Sequence, residues 1–315
     1  MNYLRLIRWQ NLLFLGILVW VMEKWVCVPV LHAAGFGEVM AWPVLCLLIG
    51  AVVFTGAAGY IINDYFDVKI DRINRPDKLI VTRTVSKEQA MWLYRIMAVI
   101  GAVLGLLTAW IVRSWPLATI FLIVPGLLWF YSSSYKRQLF LGNLIVSLVS
   151  ALPPLLVGLT NVAWLNRMYP DVISFLTINR ELILWTAGFS LFAFLMTWIR
   201  EVVKDLQDQN GDRELECRTM PIVFGEMWTK VFVTVLIAVT AGLLCYFGFA
   251  VLPFPHIWNS LSTRYIVFGL LVPLACEVAL LWAARIPSDY RHAQLLMKFI
   301  MFLGTLYSFV ICKLL

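Results

Sequence analysis

Charge is scarce in this sequence: only 14% of its 315 residues are charged, whereas 62% are hydrophobic. Soluble domains carry about a quarter of their residues as charged side chains. A composition this poor in charge excludes an ordinary water-soluble protein, because most of the surface must face something other than water. The chain is therefore predicted to be an integral membrane protein in contact with membrane lipids.

Paired cysteines and histidines are also lacking. The six cysteines lie far apart, mostly within apolar runs and without a Cys-x-x-Cys pair, so neither a disulfide framework nor a zinc site is expected. The three histidines are not paired at helical spacing, which disfavours a bound haem. The net charge of +7 comes from basic residues spread over short polar segments between the apolar runs. This pattern indicates membrane topology and no nucleic-acid partner.

Apolar runs of about 20 residues, the length that crosses a bilayer, recur along the chain. We count nine, at 11–31, 41–62, 89–112, 115–131, 139–160, 182–203, 228–251, 264–285 and 292–313. The first is too long for a signal peptide and has no evident cleavage site, so it is assigned as a span. The segment between 161 and 181 is polar and non-periodic, and we expect a loop or a short surface helix there.

The basic residues also predict orientation. Lys and Arg are concentrated before span 1 and after spans 2, 4, 6 and 8, which places the N-terminus and these segments in the cytoplasm, at the inner membrane if the cell is bacterial. We expect one membrane domain over 1–315. Two acidic segments, each following the second span of a four-span set, suggest an internal repeat of roughly 1–138 and 139–285, with a last helix at 292–313.

The first acidic segment follows span 2. Asn63, Asp67 and Asp71 are four residues apart, so on a helix they share one face. Such oxygen ligands suit Mg²⁺, which takes one or two carboxylates and completes its shell with water and substrate phosphates. Acidic residues just beyond a helix end are often simply solvated, but their position at the membrane needs a reason. The nearby Arg75, Lys78 and Arg83 would supply charge to phosphate oxygens.

The second acidic segment follows span 6. It repeats the spacing with Asp208 and Asp212, and Gly211 is expected to loosen the helix. One interpretation is a self-neutralised loop held by local ion pairs with residues such as Lys204. The other is a second metal, or the opposite side of a diphosphate, and the presence of the first segment favours it.

A third segment, Tyr131 to Arg137, ends span 4 on the same side. It has two open interpretations. Tyr131 and Lys136 belong either to an aromatic belt with a positive anchor or to a site in which Lys136 meets a diphosphate oxygen and the Tyr131 hydroxyl faces a cavity.

These segments together resemble the UbiA-type intramembrane prenyltransferases. The resemblance rests on Asn63/Asp67/Asp71 with the tail Asn74-Arg75-Pro76, on Asp208/Asp212, on the stretch from Tyr131 to Lys136, and on the run 219–225 that leads into helix 7. It implies an all-α, multi-pass membrane bundle of about nine transmembrane helices around a central cavity, open to the membrane for a polyprenyl tail.

The resemblance also implies roles. One Mg²⁺ would be held by Asn63, Asp67 and Asp71 and a second by Asp208 and Asp212, with Lys136 and Tyr131 completing the catalytic set. The diphosphate contacts would be Asn63, Arg75, Arg83, Lys136 and Lys204. Two departures are visible: the family often has glycine before the arginine matched by Arg83, where this chain has Thr82, and Tyr135 beside Lys136 leaves open which tyrosine faces the cavity.

The implied activity is Mg-dependent transfer of a polyprenyl group from a polyprenyl diphosphate to a lipophilic acceptor. Gly142-Asn143 and the lead-in 200–205 look most like the digeranylgeranylglyceryl phosphate synthase group, whose acceptor is the hydroxyl of a prenylglyceryl phosphate. An aromatic quinone precursor of the 4-hydroxybenzoate, homogentisate or naphthoate type is the alternative. A transporter or a lipid-diphosphate-binding protein is the alternative outside enzymes, although acidic clusters at helix ends on one side favour the enzyme. No protein partner is evident.

Overall fold

The protein was analysed as a computed structural model that describes residues 2–37, 40–74, 79–169, 175–251 and 260–315. Within these ranges nine helices are long and apolar enough to cross a membrane, which confirms the predicted all-α membrane bundle. We label them α1 Trp9–Ala33, α2 Trp42–Phe66, α3 Lys87–Ile111, α4 Trp115–Ser133, α5 Leu141–Met168, α6 Thr177–Glu214, α7 Met220–Ala250, α8 Leu261–Ala283 and α9 Tyr290–Leu314.

Shorter elements interrupt or join these helices. Two of them carry residues of the predicted site. A seven-residue helix, Val68–Asn74, follows α2 and contains Asp71, and a 3₁₀ turn, Tyr135–Arg137, follows α4 and contains Lys136. Near its start, α7 is broken at Gly225, whose φ of 82° lies in the left-handed region that glycine adopts without steric cost. The predicted exit into helix 7 is therefore a short helical turn followed by a kink.

The expected loop or surface helix over 161–181 is wrong at both ends. Residues 161–168 complete α5, and residues 177–181 already belong to α6. Asn161 is fully buried, and its side-chain amide donates to Glu23 Oε2 at 2.5 Å and to the Val157 carbonyl at 3.1 Å. The buried Glu23 of α1 thus accepts from the Nδ2 of a side chain that the sequence pattern assigns to a loop.

The described chain forms two compact units. Unit 1 comprises Met1–Lys136 and Leu152–Ser190, and unit 2 comprises Arg137–Ala151 and Leu191–Leu315. In unit 1 an apolar core lies at the end of α2 that carries the first acidic segment. Ile61 and Ile62 of α2 are fully buried in it, together with Val81 and Val85 of the loop before α3. This packing fixes the loop next to the end of α2.

Small residues let the helices of unit 1 approach closely. Gly101 and Gly105 of α3 are one helical turn apart, and a Cβ at Gly101 would stand 2.6 Å from Thr55 Oγ1 of α2. A Cβ at Gly105 would stand 2.2 Å from the Phe121 ring of α4. Because lipid tails are as apolar as side chains, close van der Waals packing of this kind drives helix association in membranes.

In unit 2 the apolar core joins the last four spans. Met196, Ile199, Val203 and Leu206 recur at three- and four-residue spacing along α6 and are fully buried. They form one cluster with buried residues of α7, α8 and α9, among them Val233, Leu274, Leu281, Met297 and Ile300. The segment of α6 that ends in Asp208 and Asp212 is therefore anchored by its apolar stripe.

Candidate active site

The first acidic segment lies at a joint between two helices. α2 ends at Phe66 and the next helix begins at Val68, so Asp67 stands between them with φ of −82° and ψ of 0°. The amide of Asp67 donates to the Asn63 carbonyl at 3.0 Å, and the amide of Asp71 donates to the Asp67 carbonyl at 2.9 Å. The four-residue register of these three residues therefore continues through the joint, although the helix itself does not.

Lys136, in the turn that follows α4, contacts this segment. Its ammonium donates to Asn63 Oδ1 at 3.1 Å and forms an ion pair with Asp67 Oδ2, which also accepts from Asn63 Nδ2 at 2.8 Å. The 3₁₀ turn after α4 carries Lys136 beyond the end of the span. Asp67 is only 9% exposed, so Asn63, Asp67 and Lys136 form a nearly enclosed polar cluster.

The charge state of Lys136 follows from these neighbours. Burial by itself lowers the pKa of an ammonium group, but the Asp67 carboxylate, with smaller contributions from Tyr131 and Asp71, outweighs it and raises the pKa of Lys136 above its ordinary value. Lys136 therefore stays cationic at neutral pH. It can serve as a fixed positive charge for a phosphate oxygen.

The donor set suits a hard cation. One oxygen of Asn63 and one of Asp67 already converge on a single cationic group, the Lys136 ammonium. No three His, Cys, Asp or Glu side chains cluster to hold a metal within the described part of the chain. A cation here would have to take ligands from water or phosphate as well, which is the usual habit of Mg²⁺ and not of Zn²⁺.

In the second acidic segment the helix runs on to Glu214, so Gly211 does not break it. Asp212 is 5% exposed and accepts from the Thr219 hydroxyl at 3.1 Å. Asp205, one turn before Asp208, accepts from Asn143 Nδ2 at 2.8 Å. Both acids are thus held by neutral donors.

Two basic residues just before this segment have an acidic partner on α6. Arg200 forms an ion pair with Glu201, and Lys204 Nζ lies 3.6 Å from Glu201 Oε2. These pairs centre on Glu201, one to three turns before the acidic residues. Asp208 is partly buried.

The other predicted site residues are placed as follows. Tyr131 is buried and lies within electrostatic range of Lys136, whereas Tyr135 is partly buried against Phe130 at a ring distance of 6.4 Å. Arg83 is exposed on the loop before α3. Arg75 and Lys78 lie outside the described residues.

Thr82 stands where the family often has glycine, and its backbone conformation is one that glycine favours. Its φ of 77° lies in the left-handed region, where a β-branched residue is strained and glycine is not. The turn is closed by a hydrogen bond from the Thr82 amide to the Val85 carbonyl at 2.8 Å. A glycine at this position would adopt this backbone without strain, whereas Thr82 adopts it at a steric cost.

Sequence reasoning missed one contact at each acidic segment. Arg8 Nη2 donates to Asp64 Oδ1 at 2.8 Å, and Asn143 holds Asp205. The partners are separated by 56 and 62 residues. No spacing rule connects residues so far apart. The sequence showed only that Arg8 is a basic residue before the first span and that Asn143 and Asp205 belong to segments carrying the resemblance.

Comparison with known proteins places the chain in a family. The model of the UbiA prenyltransferase family matches residues 25–306. The digeranylgeranylglyceryl phosphate synthase of Ignicoccus hospitalis is 31% identical over 306 residues, which cover 96% of this chain and 88% of the relative.

Solved structures share the fold. One that concerns digeranylgeranylglyceryl phosphate synthase in membranes aligns with a TM-score of 0.65 at 22% identity over 99% of this chain and 98% of its own. A UbiA homologue from Archaeoglobus fulgidus bound to DMAPP and Mg²⁺ aligns with a TM-score of 0.60 at 14% identity over the whole of both chains. The chain therefore belongs to the UbiA prenyltransferase family and is a multi-pass membrane prenyltransferase.

Proposed function

We propose that this prenyltransferase uses Mg²⁺ to transfer a geranylgeranyl-type group from its diphosphate to the hydroxyl of a geranylgeranylglyceryl phosphate-like lipid. The observation that carries the acceptor is the 31% identity, over nearly the whole chain, to a relative named digeranylgeranylglyceryl phosphate synthase. The Mg²⁺ and the diphosphate are supported by the homologue bound to DMAPP and Mg²⁺. They are also supported by the cation-binding oxygens of Asn63 and Asp67.

The residues of the first segment bind and orient the donor. We assign Asn63, Asp67 and Asp71 to one Mg²⁺ and Asp208 and Asp212 to a second. Bound to the diphosphate, Mg²⁺ would neutralise the charge that develops on the leaving group.

The Lys136 ammonium acts beside the proposed Mg²⁺ ligands. Lys136 donates to a diphosphate oxygen and stabilises negative charge as the allylic C–O bond breaks. We assign Arg75, Arg83 and Lys204 to further diphosphate oxygens, and the Tyr131 hydroxyl to the space beside Lys136. Aromatic rings beside the donor would favour the allylic cation through cation–π contact, and exclusion of water would keep the cation for the acceptor. The acceptor hydroxyl oxygen then forms the new C–O bond, and its proton passes to the released diphosphate.

The orientation is part of the proposal. We place the N-terminus and both acidic segments on the cytoplasmic side, because Lys and Arg are concentrated before α1 and after α2, α4, α6 and α8. Cysteines introduced one at a time after α2 and after α3, in a chain whose native cysteines are replaced, test it in intact cells with a membrane-impermeant maleimide. Labelling from outside after α3 only is the expected result, and labelling after α2 only would reverse the orientation.

The experiment for the reaction is an acceptor screen. Purified protein in detergent receives labelled geranylgeranyl diphosphate, Mg²⁺ and one acceptor at a time, and Asp67→Asn and Asp208→Asn are compared with Glu181→Gln. This control makes the same acid-to-amide change at an exposed position of α6.

Three outcomes are informative. Label on geranylgeranylglyceryl phosphate that needs Mg²⁺ and falls at least 100-fold in both site variants, but not in the control, supports the proposal. Label on an aromatic acid would mean that the acceptor is a quinone precursor and that the prenyl-transfer chemistry is unchanged. Binding of the diphosphate without transfer to any acceptor would favour a transport or binding role.

A further inference from the structure

A second cation lies close to the first acidic segment. Arg8 donates to Asp64 Oδ1 at 2.8 Å, and its guanidinium stands 4.9 Å from the ring centroid of Tyr60. The Arg8 side chain remains 44% exposed, whereas that of Asp64 is 15% exposed. A guanidinium carries five N–H donors in a planar fork that matches phosphate oxygens. Arg8 can therefore serve an anionic ligand while it stays paired with Asp64.

Arg8 owes its position to an unusual backbone. It connects the short helix Asn2–Leu6 to α1 with φ of 52° and ψ of 54°, in the left-handed region. Its carbonyl still accepts from Asn11 and Leu12 in the first turn of α1. The side chain is thus anchored at the very start of the first span.

An apolar groove of about 430 Å³ lies between α1 and α2. The groove extends along α1 for about 12 Å, because its residues there run from position 12 to position 20. Its lining includes Leu13, Gly16, Ile17, Trp20, Ile49 and Val53.

The groove and the Arg8 cluster share one face of α2. Measured from Ile49, the residues Val53, Tyr60 and Asp64 are rotated by about 40°, 20° and 60° around the helix axis. Their order along the helix leads from the apolar groove to the Tyr60 ring and then to the Arg8–Asp64 pair. A molecule with a hydrocarbon tail and an anionic head fits this sequence of surfaces.

We propose that Arg8 binds the phosphate of the acceptor lipid and that the acceptor's isoprenoid chain lies in the groove between α1 and α2. This inference rests on the proposed function, because it names the subsite of that acceptor. Arg8 is then a specificity-determining residue that selects a phosphate-bearing acceptor.

The charges explain why the acceptor and not the donor uses Arg8. The cluster of Asn63 and Asp67 already has its own cation, Lys136, for the diphosphate. The acceptor brings a second anionic head, and two anions held close together repel each other unless each has a separate countercharge. The pairs Arg8–Asp64 and Lys136–Asp67 provide two such positions three residues apart on the chain.

The first test compares two acceptors and two variants. Acceptor KM is measured for geranylgeranylglyceryl phosphate and for geranylgeranylglycerol, which lacks the phosphate, in wild type, Arg8→Gln and Arg8→Lys. Arg8→Gln should raise KM for the phosphate acceptor about 10- to 100-fold, as expected for one charged hydrogen bond. KM for the alcohol and for the donor should change less than about twofold, and Arg8→Lys should recover part of the loss.

Arg8→Gln also unpairs Asp64, so the double variant with Asp64→Asn accompanies it. The double variant removes the uncompensated carboxylate, and its thermal midpoint should return toward wild type while KM for the phosphate acceptor stays high. If the double variant instead recovers wild-type KM, Arg8 only neutralises Asp64 and the inference is overturned.

A groove variant tests the tail. Gly16→Leu places a side chain against Ile49 and Val53, whose Cγ2 atoms lie 3.5 Å from a Cβ at Gly16. It should raise acceptor KM for both acceptors, because both carry the tail. The matched control is Gly126→Leu on α4, where a Cβ meets nothing within 4 Å.

The outcomes separate the two proposals. Wild-type protein that transfers no label to geranylgeranylglyceryl phosphate overturns the proposed function and this subsite with it. Wild-type transfer with an unchanged phosphate-acceptor KM in Arg8→Gln overturns the subsite alone. An equal loss for the phosphate acceptor and the alcohol also contradicts it, because the phosphate would then not be the group that Arg8 recognises.

Discussion

The ion pair between Lys136 and Asp67 offers the sharpest test of the site. Lys136→Met removes the ammonium and leaves the Asp67 carboxylate, which is 9% exposed, without a countercharge. Breaking a buried pair on one side costs about 3–5 kcal/mol. The side chains of Lys136 and Asp67 are still 21% and 12% exposed, so partial hydration lowers the expected loss below this range, to about 2–3 kcal/mol.

The assay is a double-mutant cycle. Lys136→Met should lower the thermal midpoint by about 5 °C in a fixed detergent, whereas Lys136→Met combined with Asp67→Asn should lie within about 1 kcal/mol of wild type, since no buried charge is left. Asp67→Asn alone leaves the Lys136 ammonium without its carboxylate and should cost about 1 kcal/mol or more. The expected coupling is therefore at least about 2 kcal/mol. Prenyl transfer should fall at least 100-fold in both single variants and in the double variant, because each lacks the Lys136 ammonium, the Asp67 carboxylate or both, even where stability is restored.

The pH dependence has a definite sign. The pKa of Lys136 is raised in the folded protein, so its contribution to stability is complete below the ordinary lysine value of about 10.4 and is lost only as the pH rises through the higher folded value. The coupling measured at pH 7 and at pH 9 should therefore be equal. Additive single variants, or a coupling that disappears by pH 9, would refute this account of the cluster.

Three further predictions concern stability, each measured as a thermal midpoint against wild type. Thr82→Gly should stabilise by about 0.5–1 kcal/mol, because relief of the φ of 77° exceeds the added freedom of the unfolded chain, and a loss would contradict the left-handed backbone. Gly105→Leu should destabilise by about 2 kcal/mol or more through its clash with Phe121, while the control Gly126→Leu stays within about 0.5 kcal/mol. Lys230→Met should cost about 1–3 kcal/mol, because Lys230 is 7% exposed and its ammonium donates to the Ala284 carbonyl at 2.7 Å and pairs with Glu226 Oε1 at 2.9 Å; an unchanged midpoint would mean that these two contacts together contribute nothing.

The sequence by itself determined the membrane class, the nine apolar helices and the two acidic segments. These features depend on composition and on spacing along one helix. In the hydrocarbon core the backbone must satisfy its own hydrogen bonds, so apolar segments of bilayer length form helices. The four-residue spacing of Asn63, Asp67 and Asp71 survives even the joint at Asp67, because the backbone hydrogen bonds continue across it. The C-terminal extent of α5 was not predictable from the sequence, because Glu23, which accepts a hydrogen bond from the Asn161 side chain, lies 138 residues away.

The tertiary structure decided which polar and charged side chains contact each other. Lys136 reaches Asp67 across 69 residues, Arg8 reaches Asp64 across 56, and Asn143 reaches Asp205 across 62. No local pattern encodes such pairs, because they depend on how helices pack and on where a turn redirects the chain. Packing also decided that Thr82 takes a glycine-like backbone, a conformation held by the core around Val81 and Val85 and not by the preference of threonine.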